Sequence, residues 1–200
     1  MILINRIFEG TNEINRLLVV DTAMKRAMKG DFDLFGEAEK VYNQAINSGI
    51  QFNSTGKDYY AAKLQAIKNF KNVALIAIHG ASKQFDKKLV HEQEVLNNIS
   101  DIISEIYISE SLALRVQKLE SSKGTDAAAL YKDILDVYVY DAADKIAKNA
   151  RDTVYSLASA ETADKLVTAI NTLTKVPGVN VKDARRRIAD KLIADNVYKF

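Results

Sequence analysis

Phe8-Glu9-Gly10-Thr11-Asn12-Glu13-Ile14-Asn15 sets a carboxylate just ahead of a helix start, with a glycine between them. Glu9 there lies outside the regular hydrogen-bond ladder of the helix that follows. Gly10 lets another group approach the backbone closely, and Thr11 and Asn12 bring a hydroxyl and an amide to the positive end of the helix. Such a corner combines a base with a place for an anion. The plainer reading of the same residues is an acidic side chain followed by a helix cap, a common pairing.

Other candidates carry less chemistry. His79 stands beside Gly80 and His91 beside Glu92, with no second histidine at a ligand spacing, and the chain has no Cys. Thiolate nucleophiles and thiolate metal centres are thereby excluded, and no metal site is expected. Arg185-Arg186-Arg187 reads as a solvated helix face, with phosphate, CoA or membrane contact as the alternative. Tyr131, Tyr138, Tyr140 and Tyr155 are expected at the edge of the core with their hydroxyls in water. No Gly-x-Ser-x-Gly elbow and no glycine-rich phosphate loop occurs.

Helices must position these residues. One Pro and eight Gly in 200 residues fall well below the usual shares of about 5% and 7%, so few breakers interrupt the chain. With 48% hydrophobic and 27% charged residues the chain can bury a core and is not disordered. A formal charge of +2 supplies no field for nucleic acid. The longest apolar run, Val73 to Ile78, is far short of a membrane span and reads as core helix, or as a patch for another domain or a membrane surface. The N-terminus lacks the pattern of a signal peptide, and the expected location is cytoplasmic.

Hydrophobic periodicity predicts helices over about Asn12–Lys29, Phe35–Asn47, Lys57–Phe85, from just before Val95 to about Leu119, from Thr125 or Asp126 past Leu157, Ala160–Lys175 and Val181–Asn196. The first should bury Ile14, Leu17, Leu18 and Ala23 to Ala27. The fifth should bury Leu130, Ile134, Val137 or Tyr138, Ala142, Ile146, Ala150, Val154 and Leu157. Polar Gln51 to Gly56 and Ser121 to Thr125 should be turns, and Tyr198 to Phe200 a frayed end. Gly80-Ala81 offers a small pair for close helix approach. No segment alternates with period two long enough for a sheet. The expected fold is all-α, an up-and-down antiparallel bundle preceded by the turn and one helix, with the first 30 residues standing somewhat apart.

Phe8 to Asn15, continued by Arg16-Leu17-Leu18-Val19, resembles the aromatic-Glu-Gly-Thr motif of the acyl-CoA dehydrogenases. Residues 31–200 resemble, by position and helicity, the helical extension of the very-long-chain-type members and their bacterial relatives. The resemblance implies that residues 1–30 end the catalytic C-terminal domain and that Glu9 is the general base, taking the α-proton of a fatty acyl-CoA while a hydride leaves the β-carbon for FAD. It also implies that Gly10, Thr11, Asn12 and Glu13 lie against FAD. The implied setting is fatty acid β-oxidation, with electron-transfer flavoprotein as partner and a homo-oligomeric enzyme whose extension serves docking, oligomerisation or peripheral membrane contact. In that family an N-terminal helical domain and a middle β-domain precede the motif. The chain by itself is therefore expected to be inactive and to hold no FAD. The alternative is a free-standing, non-catalytic helical interaction module.

Overall fold

A computed structural model describes residues 7–50 and 58–197. In chain order the described helices are α1 (Asn12–Met28), α2 (Leu34–Asn47), α3 (Tyr59–Phe85), a 3-10 turn (Asp86–His91), α4 (Gln93–Lys123), α5 (Thr125–Leu157), α6 (Ala160–Leu173) and α7 (Val181–Asp195). No strand occurs among the described residues, so the fold is all-α as expected.

Side-chain pairs fix the register of the three long helices. Along α4 and α5, Glu120 meets Lys132 while Glu105 meets both Tyr138 and Lys145, so the two run antiparallel. Tyr60 meets Glu120 and Lys71 meets Glu110, which makes α3 antiparallel to α4. Tyr59 meets Asp136 near the start of α5, and Gly80 lies beside Leu157 at its end, so α3 and α5 run parallel. Between them sit Phe70, Val73, Ile76, Ile99, Ile102, Val116, Leu135, Ile146 and Ala150, all fully buried. α2 and α6 close the bundle over α3, α7 lies on α5, and α1 lies on α4.

Local chemistry explains most boundaries. Thr11, Asp33, Asp58 and Asn180 each accept a first-turn backbone N–H through the side chain, starting α1, α2, α3 and α7. Gly30, at φ 85, stands just beyond α1. Leu157 Cδ1 would lie 3.2 Å from a Cβ at Gly80, so the small pair admits α5 and α2 as anticipated.

Several expectations are corrected. α1 is not apart: Val20 is 1% exposed, and Arg16 pairs with Asp101 of α4 at 2.8 Å. Its inward stripe is Leu17, Val20 and Met24, whereas Ile14 and Leu18 face solvent at 54% and 50%. The turn expected at Ser121 to Thr125 shrinks to Gly124, because α4 continues to Lys123, with Ser121 and Ser122 hydroxyls donating to carbonyls of the preceding turn. Gly124, not Thr125 or Asp126, precedes α5. In the first half of α5 the buried stripe is Ala128, Leu135 and Val139, leaving Leu130, Ile134, Val137 and Tyr138 half-exposed. The charged groups there pair with α3, α4 and α7, which turns the helix away from the orientation its apolar pattern alone favours. α6 stops at Leu173 and not at Lys175, where Thr174 Oγ1 donates to the Ile170 carbonyl at 2.9 Å. Gln51 to Gly56 and Tyr198 to Phe200 lie outside the described residues.

Candidate active-site turn

The backbone at Glu9 and Gly10 is left-handed twice in succession, φ 56 and then φ 95. Chirality makes this unfavourable for Glu9 and easy for Gly10. Thr11 then returns to extended backbone, and its Oγ1 accepts the Ile14 N–H at 3.3 Å. The first intrahelical bond runs from the Asn15 N–H to the Thr11 carbonyl at 2.9 Å, leaving the Asn12 and Glu13 amides with no intrahelical acceptor. The Asn15 side chain folds back over the turn, its Nδ2 donating to the Gly10 carbonyl at 3.2 Å. The group that approaches Gly10 closely is thus Asn15: a Cβ at Gly10 would meet its Oδ1 at 2.9 Å.

Glu9, Gly10, Thr11, Asn12 and Glu13 therefore lie together on one turn and helix start, all exposed except the half-buried Thr11. Ile7 and Phe8 beside them are each 69% exposed. One turn further on, Arg16 and Asp101 border a polar cleft of about 560 Å³ between α1, α4 and α5, also lined by Glu105, Lys145 and Lys148.

A second polar cluster escaped the sequence reading. Tyr59 donates to Asp136 at 2.9 Å, and the nearly buried Lys63 pairs with the same carboxylate oxygen at 2.6 Å. Tyr60 donates to Glu120 at 2.6 Å, and Lys132 pairs with Glu120 at 2.7 Å while its ammonium lies over both tyrosine rings. Burial pushes the Tyr59 and Tyr60 hydroxyls well above their ordinary range, reinforced by the neighbouring carboxylates. The Lys132 hydrogen bond, then that of Tyr60, holds Glu120 below the usual carboxylate value. The cluster ties the start of α3 to the end of α4 and the start of α5. Its only local signal is Tyr59 four residues before Lys63; Asp136 and Glu120 come from other helices.

Several of the remaining candidates have structural partners. Arg185 bonds Asp141 at 2.7 Å and Arg187 holds Asp133 through two nitrogens, so two arginines of the basic run fasten α7 to α5. Tyr138, expected wet, donates to Glu105 at 2.8 Å. The His79 ring lies tilted against Tyr42, centroids 4.6 Å apart, and burial lowers its basicity, with Lys83 adding to the effect and Glu39 opposing it. Among the described residues no group of three or more His, Asp or Glu converges as a metal site, and no helix is long and apolar enough to cross a membrane.

Residues 69–175 match the family model for the acyl-CoA dehydrogenase C-terminal domain, more than half of the chain. A probable acyl-CoA dehydrogenase of Bacillus subtilis (strain 168) is 32% identical over 186 residues, 93% of this chain and 31% of that protein. The crystal structure of an acyl-CoA dehydrogenase complexed with FAD from Bacillus anthracis superposes with a TM-score of 0.91 at 31% identity, over 99% of this chain and 33% of that one. The chain thus spans about a third of the length of these relatives. Since the family model covers more than half of the chain and the architecture is the same helical one, the chain belongs to the acyl-CoA dehydrogenase family.

Proposed function

We propose that this chain serves as the C-terminal region of a flavin-dependent acyl-CoA dehydrogenase, with residues 1–30 closing the catalytic domain and residues 31–200 forming a helical extension. The observation that carries this reading is the superposition of 99% of the chain, at 31% identity, on an acyl-CoA dehydrogenase complexed with FAD. Glu9 acts as general base on the α-proton of a fatty acyl-CoA, in the α,β-dehydrogenation step of β-oxidation. Its own amide N–H steadies the thioester oxygen as negative charge develops there.

The turn suits a flavin nucleotide in one respect that is its own: the Asn12 and Glu13 amides have no intrahelical acceptor and lie at the positive end of α1. Gly10, Thr11, Asn12 and Glu13 would hold FAD there. FAD, when bound, supplies the acceptor for the hydride leaving the β-carbon. Exposure of Glu9 supports inactivity of the chain by itself, since a base working on a carbon acid needs a dry site with a fixed geometry. The complete enzyme is a homo-oligomer that passes electrons to electron-transfer flavoprotein in the cytoplasm, its extension serving docking or peripheral membrane contact.

Isolating the native protein with antibody against this chain tests the reading. The expected product is a yellow flavoprotein about three times heavier than 22.3 kDa, in keeping with the third of each relative that the chain spans. A colourless 22.3 kDa protein would contradict it and favour a free-standing helical module.

A further inference from the structure

Resting on the reading of Glu9 as the base, we propose that Asn15 is a positioning residue that holds the Glu9-Gly10 turn in its left-handed form. Glu9 is one of three described non-glycine residues at positive φ, and its side chain is exposed, so backbone angles set the direction in which its carboxylate leaves the chain. Something must offset the cost of that conformation. Asn15 engages the turn twice: its side-chain amide donates to the Gly10 carbonyl at 3.2 Å, and its backbone N–H donates to the Thr11 carbonyl at 2.9 Å. The first of these bonds is a clasp between the turn and a residue inside α1, a helix itself fixed to α4 by Val20 and the Arg16–Asp101 pair.

The glycine belongs to the same device. Asn15 Oδ1 lies 2.9 Å from the place a Gly10 Cβ would take, so a side chain at position 10 would shift the Asn15 amide as well as strain φ 95. The requirement at position 15 is a donor: Gln keeps an amide on a longer arm, Asp at neutral pH accepts only, and Ala has neither.

Two measurements test the proposal. In solution NMR of the 200-residue chain, left-handed Glu9 gives a strong intraresidue amide-to-Hα Overhauser effect. This signal is expected to persist in Asn15→Gln and to be lost in Asn15→Asp and Asn15→Ala; its persistence in Asn15→Asp would overturn the clasp. In the full-length enzyme carrying these residues, Asn15→Asp and Asn15→Ala are expected to lower kcat by about 10²-fold, the scale of a misplaced catalytic group, with KM little changed and Asn15→Gln retaining most of the rate. An open turn with kcat unchanged would overturn the positioning role. Glu9→Gln in the same assay separates the two claims, because its inactivity leaves the base assignment standing and its activity removes it.

Discussion

Gly80 and Phe70 show two ways in which one residue answers to its surroundings. Gly80 is a packing glycine inside α3, where Leu157 and Tyr42 reach the space a side chain would fill. Alanine there gains about 1 kcal/mol of helix propensity but presses on Leu157 at 3.2 Å, so the two effects nearly cancel. Gly80→Val adds two methyl groups to the same contact and is expected to destabilise the fold by about 1–3 kcal/mol, read as a lower urea midpoint at unchanged slope. Phe70, fully buried between the long helices, is the complementary case: Phe70→Ala leaves a void and should cost about 3–5 kcal/mol by the same measurement.

Elements meet through devices of unequal strength. The joint between α4 and α5 is Gly124 alone, at φ 88 and ψ 169, a region that side chains scarcely enter. Nothing lies within 4 Å of its Cβ position, so Gly124→Ala isolates the backbone term, expected at about 1–3 kcal/mol in thermal or urea unfolding. α7 has one buried residue, Ala184, and depends on the Arg185–Asp141 and Arg187–Asp133 pairs. Salt should therefore raise hydrogen exchange in α7 before it does so in α3 to α5, and Arg187→Gln should reproduce the effect at low salt. The helices themselves were legible in the sequence because their periodicity is local, as in Leu96, Ile99, Ile103 and Ile106 of α4, whereas the start of α3 falls two residues later than its apolar spacing alone suggests, where Asp58 caps it. The facing of α1 was not: its burial follows from lying on α4, so Val20 goes inward while the equally apolar Ile14 and Leu18 stay out. The Glu9 turn was legible as a motif, whereas the fold-back of Asn15 needs coordinates, since nothing in an Asn five residues on specifies that contact.

At the scale of the whole molecule, the polar clusters between helices make stability depend on pH in opposite senses. Burial raises Tyr42, Tyr59, Tyr60 and Tyr138, with carboxylate partners adding to the last three, so their folded values exceed the ordinary one near 10. Their contribution to stability is fully present below that pH and is lost as the pH rises above it. In an alkaline titration followed by tyrosinate absorbance, these four residues should ionise together with unfolding. Glu120, held low by Lys132 and Tyr60, works the other way: its contribution is present above the ordinary carboxylate value and lost as the pH falls through its lowered one. If α1 and its turn close the catalytic domain of a larger flavoprotein, Glu9 is the base there, and that role is open to direct test. The direct measurement is anaerobic bleaching of the flavin by acyl-CoA in the full-length enzyme, comparing wild type with Glu9→Gln. Glu9→Gln is expected to lower the reduction rate by about 10²- to 10⁴-fold with acyl-CoA binding retained. Bleaching at the wild-type rate would contradict it.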